Sequence, residues 1–150
     1  MLYSTDAFES SYLLSAKQTH NHPEIIIVED DPAISQVIAE ALAEEGYTVA
    51  ITFDGRSGLK LAQQVTPRLV ISDLMLPRMD GLELLGEVKQ RRPELPVVMV
   101  TAYRDDERQR RARELGAFEF FTKPVNLDHL KEQLRQMQPA NSKLDGGTNG

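Results

Sequence analysis

The stretch Ile25-Ile26-Ile27-Val28-Glu29-Asp30-Asp31-Pro32 decides the fold. Four consecutive apolar, β-branched residues leave no polar face, so the run is too continuous for a strand with one side in water. It ends abruptly in three acids. Asp31 followed by Pro32 reads as the N-cap and first position of a helix. In that helix Ile34, Val37, Ile38, Ala41 and Leu42 define one face, and the pattern runs to about Glu45 before Gly46 stops it.

Outward from this unit the same alternation repeats. Thr48 to Thr52 forms the next strand, and a helix from about Arg56 to Gln64 follows with Asp54 as its cap. Leu69-Val70-Ile71 is a third strand, and Gly81 to Gln90 is helical, stopped by Pro93. Val97-Val98-Met99-Val100 is a fourth strand, and Asp105 to Leu115 is helical up to Gly116. Phe118 to Thr122 is a fifth strand, and Asn126 caps a last helix that reaches about Met137. Strands joined by helices pair in parallel, and right-handed crossovers place helices on both faces. The expectation is an α/β, doubly wound (βα)5 domain with a parallel five-stranded sheet. Sequence alone does not set the strand order; the flavodoxin-like order 2-1-3-4-5 suits five units.

The folded unit is expected over 24–137. Residues 1–23 read as a partly flexible extension, in which Asp6 and Glu9 have capping-box spacing and Phe8 and Tyr12 sit one helical turn apart, compatible with a short helix. Residues 138–150 read as a disordered tail. The full 150 residues suit one ordinary domain. A net charge of −6 and a sequence pI of about 5.1 argue against direct nucleic-acid binding, which needs clustered Lys and Arg. No apolar run approaches a membrane span, and no signal peptide is legible. The absence of cysteine removes disulfides and thiolate metal sites and fits a cytoplasmic location.

The polar residues that interrupt the apolar pattern gather at strand ends. Glu29 and Asp30 close the first strand, Asp73 the third and Thr101 the fourth, and Lys123 follows the fifth. In an open parallel sheet the carboxyl ends of the strands form the ligand crevice. Three carboxylates brought together there repel and call for a cation, and all-oxygen donors suit a hard ion, magnesium or alternatively manganese. A cation, a lysine and a threonine hydroxyl together match the three equatorial oxygens of a phosphoryl group, with one carboxylate as nucleophile.

Four segments carry a family resemblance. Val28-Glu29-Asp30-Asp31, Ser72-Asp73-Leu74-Met75-Leu76-Pro77-Arg78-Met79-Asp80-Gly81, Val100-Thr101-Ala102 and Phe121-Thr122-Lys123-Pro124 resemble, in order, the four signatures of response-regulator receiver domains, a family that includes the chemotaxis response regulator. The resemblance covers about 24–137. It implies that Asp73 is the phosphoacceptor, that Asp30 ligates the metal directly and Glu29 through water, and that the Met75 backbone carbonyl completes the protein's share of the shell. Thr101 is then the switch hydroxyl and Lys123 the partner of the phosphoryl group. The peptide bond to Pro124 is commonly cis in such domains, and the small Ala102 leaves room for the phosphodonor. Phe120 stands at the aromatic switch position, where tyrosine is commoner, so a hydroxyl is missing there. The implied function is a switch phosphorylated by a sensor histidine kinase or phosphotransfer protein. It catalyses its own phosphorylation and slow dephosphorylation rather than ordinary turnover. Its helix-four, strand-five and helix-five surface, 105–137, changes in response.

Plainer readings apply elsewhere. Asp31 and Asp80 read as turn or cap residues. Arg108, Arg110, Arg111 and Arg113 interleave with acids and read as a solvated helix face. Gly55-Arg56-Ser57-Gly58-Leu59-Lys60 lacks phosphate-loop spacing, His20 and His22 lie in the extension, and His129 reads as exposed. A haloacid-dehalogenase phosphatase also uses a strand-end aspartate, but it needs a second Asp where Met75 stands. A pseudo-receiver, an interaction module independent of phosphorylation, is the remaining alternative, and the intact set of key residues argues against it. No effector domain is legible after 137, so output is expected through an unknown partner or through further domains of a longer protein.

Overall fold

In the structure, a computed structural model that describes residues 22–102 and 105–137, the five apolar runs form one sheet. The strands are β1 (Ile25–Val28), β2 (Val49–Thr52), β3 (Leu69–Asp73), β4 (Val97–Thr101) and β5 (Glu119–Thr122). They are all parallel, in the order β2-β1-β3-β4-β5. Five helices connect or follow them among the described residues: α1 (Pro32–Glu44), α2 (Gly55–Gln64), α3 (Gly81–Arg91), α4 (Asp106–Glu114) and α5 (Leu127–Met137). The expected doubly wound, flavodoxin-like fold is therefore present. Residues 1–21 and 138–150, which include most of the expected extension, its short helix, His20 and the expected tail, lie outside the described residues.

The alternation within β1 explains why the sheet needs helices on both sides. Ile25 and Ile27 point into a core shared with α1 and α5, where Ile38, Leu42, Leu130 and Leu134 meet them. Ile26 and Val28 point into the opposite core, built with Leu61 of α2, Leu85 of α3 and Ala112 of α4. Each large aliphatic residue withdrawn from water in this way contributes about 1.5–3 kcal/mol before entropy is counted.

Local capping sets the helix starts. Asp31 accepts hydrogen bonds from the Ala33 and Ile34 amides, Asp54 from Ser57, Asp80 from Leu82 and Asp105 from Arg108. The Asn126 side chain accepts from the His129 amide. The apolar face of α1 departs from expectation in one residue. Val37 is exposed, and the buried face instead takes in Ser35 and Ala39. Ser35 tolerates burial because its hydroxyl donates to the Pro32 carbonyl at 3.1 Å. β3 and β4 end at Asp73 and Thr101, the residues expected to close them.

At the opposite, amino end of the sheet, Glu24 ties three segments together. Its amide donates to the Thr48 carbonyl and hydroxyl, both at 2.9 Å, and its carboxylate accepts from the Thr48 amide at 2.9 Å and from Arg68 at 3.2 Å. Its carbonyl accepts from the Arg68 amide at 2.7 Å.

α3 lies against the end of β3 so closely that its first residue has no room for a side chain. A Cβ on Gly81 would stand 2.3 Å from the Asp73 carbonyl oxygen and 2.7 Å from the Leu74 Cα, both backbone atoms that cannot swing away. Gly81→Ala is expected to destabilise the protein by about 2–3 kcal/mol, the cost of forcing extra volume into a packed site. Urea denaturation measures this as a lower midpoint at unchanged m value, and an unaltered midpoint contradicts the packing described here.

Candidate phosphoacceptor and metal site

The carboxyl ends of β1, β3 and β5 converge because β1 and β3 are neighbours and β5 lies beyond β4. Asp73 ends β3 opposite Val100, and Thr101 ends β4 opposite Thr122. The Lys123 amide donates to the Thr101 carbonyl at 2.9 Å, which carries the chain over the end of β4. The Lys123–Pro124 peptide is cis. From there the Lys123 ammonium reaches both carboxylates, at 2.7 Å from Asp73 Oδ2 and 2.8 Å from Glu29 Oε1.

The other carboxylate oxygens are also engaged. Asp73 Oδ1 accepts from the Met75 amide at 3.0 Å, and Glu29 Oε2 accepts from the Asp31 amide at 3.0 Å. Glu29 and Asp73 are buried and Asp30 is exposed, and one carboxylate oxygen of each lies within 4.8 Å of the others. Burial pushes the Glu29 carboxyl up to about 7, against hydrogen bonds from Lys123 and Asp31 that favour its ionised form. Burial also disfavours the charged form of Lys123. Its hydrogen bonds to Asp73 and Glu29 outweigh that effect and hold the ammonium above its ordinary value. Three carboxylates against one ammonium leave an excess of two negative charges when all are ionised. A hard divalent cation balances that excess, and the all-oxygen donor set fits magnesium.

The structure thus brings Glu29, Asp30, Asp73 and Lys123 together. Thr101 is buried at the end of the adjacent strand, with the exposed Ala102 after it. Met75 is half exposed at the rim and Pro124 is exposed beside Lys123. Phe120 stands farther out, half-buried, with the Arg113 guanidinium 5.0 Å above its ring. His129 is exposed as expected and lies 5.1 Å from the Phe121 ring.

Two residues depart from their plain readings. Arg108 does not belong to a solvated face. Its guanidinium turns toward the site and pairs with Asp80 at 2.6 Å while donating to the Leu74 carbonyl at 3.3 Å. Asp80 caps α3 as expected but also receives that cation. The available signal was the position of Arg108 in the first turn of α4, since helix side chains lean toward the N-terminus and so toward the loops at the carboxyl edge. Arg110 pairs along the helix with Glu107 and Glu114, as expected of a solvated face.

Comparison with known proteins agrees with this geometry. The response regulator receiver domain family matches residues 25–135. The DNA-binding transcriptional regulator NtrC of Escherichia coli (strain K12) is 36% identical over 130 residues, covering 81% of this chain and 28% of that protein. This chain therefore spans little more than a quarter of the length of that relative. A CheY-like response regulator receiver domain protein from Methanospirillum hungatei JF-1 superposes with a TM-score of 0.73 at 34% identity, over 77% of this chain and 93% of that one. The receiver domain of NtrX from Brucella abortus gives 0.72 at 36% identity, over 77% and 98%. Strand order, strand-end acids and matched length all lead to one conclusion: the chain belongs to the response regulator receiver domain family, whose general function is a phosphorylation switch in two-component systems.

Proposed function

We propose that this receiver domain takes a phosphoryl group onto Asp73 in a magnesium-dependent reaction and answers by rearranging the surface formed by α4, β5 and α5. The observation that carries this reading is the Lys123 ammonium held between Asp73 and Glu29, beside three carboxylates close enough to share one cation. The donor is a histidine kinase or a phosphotransfer protein, as for receiver domains generally. The output partner is a further domain or a separate protein.

Asp30 and Asp73 would hold the metal directly, Glu29 through water, and Met75 through its backbone carbonyl. Magnesium, or manganese in its place, would supply Lewis acidity that draws charge from the transferring phosphoryl oxygens. An Asp73 carboxylate oxygen attacks the phosphorus. The bond from phosphorus to the donor nitrogen breaks, and its electron pair leaves with the donor imidazole. Lys123 exchanges part of its contact with Asp73 and Glu29 for a phosphoryl oxygen. The Met75 amide, already aimed at Asp73 Oδ1, keeps the carboxylate oriented. The small Ala102 leaves the approach open.

Phosphorylation replaces the single negative charge of the Asp73 carboxylate with an acyl phosphate that carries nearly two, three of whose oxygens are new acceptors in the pocket. The Thr101 hydroxyl turns toward the phosphoryl group, and Phe120, on the neighbouring strand, follows into the space beside β4. The domain then occupies two populations, and the phosphoryl group favours the inward one. A coupling of about 1–3 kcal/mol is ordinary for such linkage, enough for a large but incomplete shift.

Three expected outcomes test this reading. Asp73→Asn abolishes magnesium-dependent, hydroxylamine-sensitive phosphate incorporation from acetyl phosphate, because an amide is not a competent nucleophile. Normal labelling of that variant removes Asp73 from the role. Asp30→Asn relieves carboxylate repulsion, so the metal-free protein melts higher by a few degrees while the stabilisation by magnesium shrinks. Paired melts with and without magnesium decide this, and an unchanged metal response counts against Asp30 as a ligand. Thr101→Ala still accepts phosphate or beryllofluoride at Asp73 but loses most of the amide NMR changes over 105–137. Changes equal to the parent's show that Thr101 is not the coupling element.

A further inference from the structure

Arg108 holds a position that the surface arginines of α4 do not share. Its side chain is 27% exposed, whereas that of Arg110 is 56% exposed and, among the described residues, pairs along its own helix. One terminal nitrogen of the Arg108 fork reaches 2.6 Å to Asp80 Oδ1 and 3.3 Å to the Leu74 carbonyl oxygen. Leu74 stands between Asp73 and Met75, so this contact falls on the backbone unit that joins the nucleophile to the metal-binding carbonyl of the reading above. The same Leu74 oxygen accepts from the Gly81 amide at 3.0 Å, and the Leu74 amide donates to the Val100 carbonyl at 3.1 Å.

The segment between Leu74 and Asp80 has reason to need an external tie. Arg78 sits at φ 70°, a left-handed conformation that a residue with a Cβ adopts only at a cost of about 1–2 kcal/mol. Met75 is half exposed and brings little packing of its own. Asp80 anchors the far end of the segment by capping α3 through the Leu82 amide at 3.2 Å. Arg108 thus grips both ends of the loop from outside it, at Leu74 and at Asp80. Its Nε is buried and makes no hydrogen bond among the described residues.

We infer that Arg108 is a positioning residue: by clamping the Leu74–Asp80 loop to α4, it couples metal binding at the acid cluster to the placement of α4, along a route separate from Thr101. The inference rests on the reading of the site as a metal-assisted phosphoacceptor. Linkage makes the coupling reciprocal. A partner that draws α4 outward loosens the loop and weakens metal binding, and bound metal holds α4 in. The Arg108 contacts fall on the loop backbone and on the α3 cap, so its positioning effect on Asp73 passes through the shape of that loop, beside the through-space effect of its charge on the pocket it lines with Asp30 and Met75.

Magnesium titration of the full chain, followed by amide NMR, tests this with no phosphorylation required. In the parent, magnesium shifts the amides of 74–80 and of α4 together. Arg108→Met keeps the aliphatic stem and removes the fork. Asp80→Asn removes the charge but keeps a side-chain oxygen to cap α3. Each variant is expected to weaken magnesium binding about three- to tenfold and to suppress the α4 shifts while those at 74–80 persist. The double variant is expected to bind no more weakly than either single one, because both remove the same interaction. Arg108→Lys retains the charge without the planar fork and is expected to fall between parent and Arg108→Met. A merely structural arginine lowers the melting temperature of the metal-free protein and leaves the magnesium response intact, and that result overturns the inference. If Arg108→Met does not fold, Asp80→Asn carries the decision by the same criteria. A parent that shows no magnesium-dependent shifts at Glu29, Asp30 and Asp73 sinks the metal-site reading and the inference with it. A parent response that both variants reproduce sinks the inference alone.

Discussion

Like charges gathered at the ends of adjacent strands repel unless a counter-charge is fixed among them. In this protein Lys123 is that counter-charge, tied to Asp73 and Glu29 from a strand that touches neither β1 nor β3. The contact depends on the sheet order. Only with β3 and β4 between β1 and β5 does the chain after β5 turn back over the site, held there by the Thr101 carbonyl. The two inner cores follow from the crossovers that a parallel sheet requires, which lay helices on both faces of strands apolar on both sides. The arrangement is locally costly. Burial pushes Glu29 toward its neutral form, and the lysine and the Asp31 amide draw it back. Such opposed effects are typical of places where a fold gives up stability for chemistry.

Much of this was legible in the sequence, for reasons that differ by residue. The five strands announce themselves because each is buried on both sides and so reads as a continuous apolar run, Ile25 to Val28 above all. Helix starts were legible because capping is local chemistry: Asp31, Asp54, Asp80 and Asn126 each accept from an amide two or three residues on, and Asp105, read as the first helical residue, proves to be a cap of the same kind. The site acids and Lys123 stood out because a charged residue at the end of a buried strand has no packing reason to be there. The Lys123–Pro124 cis peptide accords with what the resemblance implied.

What escaped the sequence depends on direction across space. Val37 fits a helical face by spacing, yet α1 is rolled so that Ser35 and Ala39 face the sheet, and a serine that satisfies its own hydroxyl on Pro32 is not recognisable as core from periodicity. Arg108 sits in a run of alternating charges, and beyond its place in the first turn of α4 nothing in that run distinguishes it from Arg110. Only the placement of α4 over the end of β3 aims it at Asp80 and Leu74 rather than along its own helix. The Met75 amide donating to Asp73 Oδ1 was not legible either, since only the Met75 carbonyl was expected to serve the site.

The knot around Glu24 has a meaning for how such a domain can change over generations. It binds Thr48 and Arg68 at the amino edge of the sheet, while the chemistry sits at the carboxyl edge, roughly 15 Å away along strands of four or five residues. Substitutions separated by that much rigid sheet act nearly independently. Thermal robustness can therefore be gained or lost at one rim without retuning the other. A lineage moving to a hotter or colder habitat can adjust that floor while its signalling edge stays as it was.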